Sequence, residues 1–350
     1  QKLFRRTIAV GMSFGVMQVM GPRHEGRFLQ VEVATFRCDG AYTDGRHPDE
    51  VTFSTAEEDA QRRDFTINGM FKNPVTDEII DYVGGREDLK DKVLRAIGDP
   101  FQRIQEDKLR MLRAVRMATR FGFQIELKTA DAIRQMASQI EVVSPERIAD
   151  ELRKMLAHPA RALAVQCLKD LDLLAAIIPE APRDDSIFKT LSLLPSDASA
   201  TLTLATLLHS QSPQLVDSIC LRFRLSNEER EHIVWLVENQ RTIDNASAMR
   251  TCDLKRLLIE AGILDLLTMS RVIGLVNSEQ IEICESRLRE WGESDLNPPP
   301  LLSGHDLMSE GLEPGPIFKE LLDLVRDEQL DGTISTREEA LSLIRARVDQ

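Results

Sequence analysis

Residues 106–123 read EDKLRMLRAVRMATRFGF. With the residues just before them they carry a helical period. Ile104, Met111, Val115 and Ala118 fall within about 60° of one another at 100° per residue, so the spacing predicts one amphipathic helix over 102–121. Glu106, Arg110, Arg113 and Arg120 cluster on a separate face. Asp107 and Arg110 are neighbours at i,i+3, and Arg113 continues the strip one turn on. A carboxylate beside a guanidinium sets an acceptor next to fixed donors, as reading the edge of a nucleobase requires. On spacing alone the commoner reading is an ordinary surface ion pair, worth about 0.3–0.5 kcal/mol.

Upstream, residues 62–68 read RRDFTIN. Two adjacent arginines, an acid and an amide at a helix start suit a triphosphate and ribose hydroxyls. A solvated charge cluster with Phe65 and Ile67 in the core accounts for the same residues. Further upstream the period is that of strands: Thr7–Val10, Gly15–Met20 and Phe28–Arg37, with a turn at Gly21–Gly26. Leu29, Val31, Val33 and Thr35 share one face of the third strand, with Gln30, Glu32 and Ala34 on the other. Residues 38–50 read as a loop and Val51–Phe53 as a brief strand. Ser54 and Thr55 can cap a helix whose first turn holds Glu57, Glu58 and Asp59. Pro74–Gly85 is an interruption with a short hairpin through Ile79 and Ile80.

Downstream, SPERIADELRKML (144–156) is a capped helix with an apolar stripe of Ile148, Leu152 and Met155, and Glu146 and Arg147 at its start. Beyond residue 140 helices follow one another, broken at 179–186, 194–199, 211–213, 226–227 and 294–304, with Asn297–Pro300 (NPPP) the clearest hinge. The fold class is α+β: a small mixed-sheet head followed by an extended all-α neck, body and tail.

The chain has 350 residues, longer than the roughly 250–300 at which single cores stop growing, so several units are expected. Its net charge of −13 argues by itself against nucleic acid as a partner. The distribution reverses that. Residues 1–160 hold 25 basic and 25 acidic side chains, and residues 161–350 hold 19 and 32. The stretch 103–120 is locally basic, and distant charge is hidden beyond a Debye length of about 8 Å. No run approaches the ~20 apolar residues of a membrane span. Five cysteines without a C-x-x-C pair argue against a disulfide framework or zinc ribbon and suit a reducing cytosol. Asp170-Leu171-Asp172 has the spacing of a two-metal site, but reads as lying inside a helix, where i and i+2 diverge. Six scattered histidines show no ligand spacing.

The order of these motifs brings a family into view. RRDFTINGM (62–70), DYVGGREDL (81–89) with Arg95 and IGDP (97–100), EDKLRMLRAVRMATRFGF (106–123) and SPERIADEL (144–152) resemble four successive motifs of the class II CCA-adding enzymes and bacterial poly(A) polymerases, within the polymerase-β-like nucleotidyltransferase superfamily. VEVATFR (31–37), YTDGRHPDEVTF (42–53) and LLSGHDLMSEGLEPGP (301–316) match as well, so the likeness spans essentially the whole chain.

The resemblance implies a palm remnant over 1–60 with a flexible loop at 42–53, a nucleotide-binding neck over 61–157, a body over 158–296 and a tRNA-binding tail over 297–350. It implies that Arg62, Arg63, Asp64 and Asn68 hold the triphosphate and ribose of the incoming nucleotide. Asp107 and Arg110 would pair with the edge of cytosine or adenine, and Arg113 would reach the phosphates. Glu32 would be the third metal-binding carboxylate, on the sheet face opposite Val31 and Val33. Asp44, Gly45 and Arg46 lie in the loop associated with switching to A addition, and Glu106, Glu146 and Arg147 would support the site. The family places a Gly-Gly…Arg-Asp segment and a metal-binding Asp-x-Asp before the point where this chain begins. The mid-pattern start at Gln1, which reads as the tail of a helix, favours a segment missing here over a catalytically incomplete RNA-binding relative. Gly69 stands where the family usually has Ala, a departure expected to matter little.

The implied activity is template-independent addition of CTP and ATP to the 3′ end of tRNA, with Mg²⁺, in the cytoplasm, by attack of the primer 3′-OH on the α-phosphate with pyrophosphate release. The implied contact on tRNA is its 3′ end and acceptor/TΨC region, met by residues 60–160 and selected arginines beyond, such as Arg222 and Arg224. Poly(A) polymerases tend to carry two basic residues before a Phe after the first conserved Gly. Gly11-Met12-Ser13-Phe14 has none, which favours CCA addition; CC-only and A-only enzymes stay open, as does oligomeric state.

Overall fold

The structure, a computed structural model, describes residues 4, 6–11, 15–24, 27–39, 51–182 and 184–348. It divides into two compact units, 1–181 and 182–350, the boundary falling in the expected break at 179–186. The reading of Gln1–Leu3 as a helix tail falls outside the described residues. So do Met12, Ser13 and Phe14, Glu25 and Gly26, and residues 40–50 with Asp44, Gly45 and Arg46.

The first unit opens on an antiparallel sheet of β1 (Thr7–Gly11), β2 (Val16–His24) and β3 (Arg27–Ala34), in that order. Gly21 is strand rather than turn: β2 runs on to His24, whose register partner is Arg27. The register slips between Met20, opposite Gln30, and Arg23, opposite Phe28, so Gly21 and Pro22 sit at an irregularity within the strand, a place where both residue types are tolerated. The alternating run 28–37 divides at Thr35–Phe36. Arg37–Asp39 then forms β4, paired with β5 (Val51–Phe53), so Cys38 and Asp39 belong to a strand and not to the expected loop.

Helix α1 (Ala56–Gln61) starts where its caps predict. Glu58 N donates to Thr55 Oγ1 at 3.3 Å and Thr55 N to Glu58 Oε2 at 3.2 Å, a capping box. Arg62 is its C-cap, so the arginine pair closes a helix instead of opening one. The physical cause is Phe65, 2 % exposed, whose extended backbone bridges Ala96 and pulls the chain out of the helix. A 3-10 turn (Thr66–Asn68), the hairpin β6 (Met70–Lys72) and β7 (Ile79–Asp81), and α2 (Gly85–Asp91) follow. Asp81 fixes the turn between β7 and α2, its carboxylate accepting from the backbone N–H groups of Val83, Gly84, Gly85 and Arg86.

After β8 (Val93–Leu94) the predicted single helix over 102–121 is two: α3 (Pro100–Glu106) and α4 (Arg110–Phe121). Asp107 sits between them with φ −145° and ψ 106°, and its Oδ1 accepts from Leu109 N at 3.0 Å. A short acceptor competing for backbone N–H groups breaks the helix. The apolar stripe survives the break: Ile104, Met111, Val115 and Ala118 are all buried. β9 (Gln124–Ile125) pairs in parallel with β8, and α5 (Leu127–Met136), α6 (Pro145–Leu156) and α7 (Arg161–Asp170) complete the packing, α4 lying against α6 and α7. Asp170-Leu171-Asp172 is not inside a helix. Asp170 ends α7, and Asp172, at φ 59°, precedes α8 (Leu173–Ile177) because Leu171 and Leu173 turn into the core.

In the second unit the described elements are helices: α9 (Ser186–Ser192), α10 (Ala200–Leu207), α11 (Pro213–Arg222), α12 (Asn227–Asn239), α13 (Thr251–Leu258), α14 (Ile263–Ile273), α15 (Ser278–Glu290), α16 (Glu293–Leu296), α17 (Gly304–Ser309), α18 (Pro316–Asp331) and α19 (Arg337–Val348), with a 3-10 stretch at Thr242–Ala248. Asn297–Pro300 is not a loose hinge. Arg326 of α18 donates to Pro298 O at 2.6 Å and to Asn297 Oδ1, and Gln329 Nε2 to Pro299 O at 2.8 Å. Prolines leave carbonyls without N–H groups of their own, and α18 supplies the donors. Leu302, Leu307, Leu321, Val325, Ala340, Leu341 and Ile344 form a core of their own beyond it. No helix of the described residues is long and apolar enough to cross a membrane, and no disulfide joins the five cysteines.

Candidate nucleotide-binding site

Segments far apart in the chain meet where α1 ends, α4 begins and α6 passes. Arg110 Nη1 donates to Glu106 Oε2 at 2.6 Å and to Arg103 O at 2.7 Å, and its Nη2 reaches Arg62 O at 3.3 Å. Arg113 Nε donates to Asp64 Oδ2 at 2.9 Å, across 49 residues of chain. Asn68 Nδ2 donates to the other oxygen of Asp64 at 2.9 Å, and Phe65 N does the same. The two sequence clusters are therefore one structural cluster.

Because the helix breaks at Asp107, that residue and Arg110 do not form the i,i+3 surface pair expected of them. Arg147 Nη2 donates to Asp107 Oδ2 at 2.8 Å, while Arg110 pairs with Glu106. Arg147, at the start of α6, thus braces the junction. Glu146 is exposed in the first turn of the same helix, where its charge meets the helix dipole favourably. Arg103 shares Glu106 at 3.0 Å. Lys108 leaves the basic strip: it is buried, donates to Gln105 O and Oε1, and desolvation lowers the pKa of its ammonium against the pull of Asp107. Arg120 is exposed and lies over the Phe121 ring.

Asp64 is 7 % exposed. Burial pushes its carboxyl upward, but Arg113, Asn68 and Phe65 N–H outweigh that and hold it below the ordinary carboxylate value. Arg113 loses solvation yet is raised by Asp64, so both stay ionised near neutral pH. The outcome is a set of guanidiniums fixed by carboxylates, with part of Arg62, Arg63, Arg110 and Arg113 still reaching solvent. Such a set can bind a polyanion without reorganising.

Three groups in this network receive no role from the sequence reading. Asp59 contacts both arginines of the pair, and its spacing three and four residues before them is the clue that could have found it. Glu151, buried in α6, accepts from Arg116 Nε and ties α6 to α4. Asp88 accepts from Thr66 Oγ1 at 2.7 Å and from Arg95 Nε, linking RRDFTINGM to DYVGGREDL. Gly69 matters more than expected, because a Cβ there would stand 2.6 Å from Val83 Cγ2 and 3.3 Å from Ile97 Cδ1.

Glu32 lies on β3, opposite Gln18 in register and on the face away from Val31 and Val33. It is exposed, and among the described residues no three His, Cys, Asp or Glu side chains group closely enough to hold a metal ion. The described donor set does not by itself fit a magnesium centre.

Residues 1–95 match the Poly A polymerase head domain family, and residues 122–184 match the probable RNA and SrmB-binding site of polymerase A. A CCA-adding enzyme of Lactococcus lactis is 32% identical over 354 residues, covering 97% of this chain and 83% of the relative. One from Anoxybacillus flavithermus is 37% identical over 217 residues, covering 61% of this chain and 53% of that relative's length. The crystal structure of the Bacillus stearothermophilus CCA-adding enzyme in complex with CTP superposes with a TM-score of 0.79 at 26% identity, over 100% of this chain and 86% of that one.

Proposed function

The chain belongs to the family of CCA-adding enzymes, and from that premise we propose that it adds CTP and ATP to the 3′ end of tRNA without a nucleic-acid template. In each addition the primer 3′-hydroxyl gives up its proton, to solvent in the net reaction, and a bond forms between its oxygen and the α-phosphorus of the nucleotide. The bond from that phosphorus to the bridging oxygen breaks, and pyrophosphate leaves. One observation carries the reading: the contacts from Arg113 to Asp64 and from Arg110 to Arg62 O unite the two clusters that such a reaction needs.

Arg62, Arg63 and Arg113 bind the triphosphate, with Asp64 serving it by holding Arg113 in place and Asn68, which donates to Asp64, beside the ribose. Asp107 and Arg110 meet the base edge, one offering an acceptor and the other a donor, which suits the ring nitrogen and exocyclic amino group that cytosine and adenine both present. Glu106 orients Arg110, while Arg147, with Glu146 beside it, orients Asp107. Asp44 and Arg46, in the loop at 42–53, take part in the switch from C to A. Magnesium is the expected metal, and Glu32 is the carboxylate this chain's described residues would offer it. The head (1–60), neck (61–157), body (158–296) and tail (297–350) are its working parts, with the tail toward the acceptor and TΨC region of tRNA. Thiols without disulfides support a cytoplasmic location.

The test is incubation of the full-length protein with labelled CTP or ATP, magnesium and tRNA lacking its terminus, resolved at single-nucleotide length. Addition of C, C and A in order is expected. Long A tails would point to a poly(A) polymerase, a product stopping at CC or requiring CC to a specialised enzyme, and no incorporation would sink the enzyme reading.

A further inference from the structure

Asp59, in α1, belongs to none of the roles above, yet it is the most committed carboxylate near the arginine pair. It is 2 % exposed. Its Oδ1 accepts from Arg62 Nη2 at 2.6 Å, from Arg62 Nε at 3.0 Å and from Arg37 N at 3.2 Å. Its Oδ2 accepts from Arg63 Nη2 at 3.0 Å and Nε at 3.1 Å. Each guanidinium thus meets the carboxylate through a two-pronged contact on its Nε side, which fixes the plane as well as the position of the group.

The surroundings hold the assembly from further sides. Arg63 Nη1 donates to Asn68 O at 2.9 Å, and its guanidinium lies over the Phe71 ring at 5.0 Å. Arg62 Nε also reaches Arg37 O at 3.0 Å, which ties the pair to the first residue of β4. Burial pushes the Asp59 carboxyl upward, but Arg62, Arg63 and Arg37 N–H pull it below its ordinary value, so it stays ionised.

Two neighbouring guanidiniums repel each other, and a triphosphate would have to overcome that repulsion and the entropy of ordering both side chains. A carboxylate wedged between them removes both costs in advance and still leaves the group with one net positive charge. With both oxygens spent on arginines and the residue almost wholly buried, Asp59 has nothing to offer substrate directly.

We propose that Asp59 is a positioning residue that aligns Arg62 and Arg63 side by side as the grip on the nucleotide's triphosphate. The inference rests on the reading of those arginines as triphosphate ligands, and it deepens that reading by naming what presets them. It acts on phosphates and not on the base, so it bears equally on CTP and ATP.

The experiment compares the native protein with Asp59→Asn at full length, by equilibrium binding of CTP, ATP and inorganic tripolyphosphate, together with steady-state kinetics and circular dichroism. Asn keeps the size of the side chain but loses the charge and one acceptor. The expected result is a rise of about tenfold in the Kd of all three ligands, with the CTP-to-ATP preference unchanged. KM should rise in step while kcat at saturating nucleotide moves less than about threefold. A merely structural residue would lower thermal stability and leave these affinities alone. Should Asp59→Asn fail to fold, the double variant Asp59→Asn/Arg62→Gln removes the uncompensated cation; it is expected to bind tripolyphosphate more weakly than Arg62→Gln alone. Equal affinities in either comparison, with folding intact, would overturn the proposal. Failure of the native protein to bind any of the three would overturn the triphosphate reading and this inference with it.

Discussion

Asp64 and Asp107 do different work, although each is an acid beside arginines in the sequence. Asp64 is spent inside the protein on Arg113, Asn68 and Phe65 N–H, and its folded pKa lies below the ordinary 3.8. A depressed carboxyl contributes stability above its unfolded value and loses it as pH falls through the folded one. Asp59 is depressed in the same way. Their contribution is thus complete above about pH 5 and decays progressively below about pH 4. Urea midpoints measured against pH should be level on this account from pH 5 to 7 and fall in acid. Asp64→Asn should be less stable at pH 7 and show a shallower acid decline; an unchanged slope would contradict it. Asp107 is only partly buried, with Arg147 on one oxygen and Leu109 N on the other. Asp107→Ala should therefore keep the fold and lose about 1–2 kcal/mol of discrimination between CTP and ATP, read by competition for incorporation. Selectivity equal to the native protein's would refute the role. The residue types were legible in the sequence, but the partner of each was not: Arg113 finds Asp64 across 49 positions and Arg147 finds Asp107 across 40.

Among the elements, the turn joining β7 to α2 shows how closely neighbouring motifs are fitted. Asp81 holds four backbone N–H groups, and Gly69 leaves the space that Val83 fills. Val is stiff about χ1 and cannot swing aside cheaply. Gly69→Ala should destabilise by about 1–3 kcal/mol as overpacking, and Val83→Ala in the same chain should recover much of that. Denaturant midpoints of the two variants check it, and a neutral Gly69→Ala would mean that the turn yields. Periodicity found α4, α6 and their buried stripes, since burial repeats locally. It could not find the break at Asp107, because Ile104 and Met111 keep helical phase across the gap while the backbone between them does not. The anchoring of Asn297–Pro299 by Arg326 and Gln329 was out of reach for the same kind of reason, its donors lying some thirty positions downstream.

At the scale of the whole molecule, a net charge of −13 and the proposed tRNA partner are reconciled by distribution. Residues 1–160 are balanced, and the acidic excess lies beyond them. In the second unit some of that acid is matched by arginine, as in Asp306 with Arg337, Glu310 with Arg345 and Asp327 with Arg256. If residues 60–160 carry the tRNA contacts, binding should be strongly electrostatic. The logarithm of the association constant should fall linearly with the logarithm of salt concentration, by roughly 0.7–0.9 per phosphate contacted. Fluorescence titration with tRNA between about 50 and 200 mM salt tests this, and a flat dependence would contradict it.

What the sequence by itself determined were the quantities written locally or in order: the strand and helix periods, the capping box at Thr55, the apolar stripes and the succession of four motifs that names the family. What only the tertiary structure decided were the pairings. Arginines scattered along the sequence came into one cluster because Asp59 claimed Arg62 and Arg63, Asp64 claimed Arg113, Glu106 claimed Arg110 and Asp107 claimed Arg147. A charge in a sequence has a sign but no address, and which opposite charge it meets depends on where the core places the backbone of both.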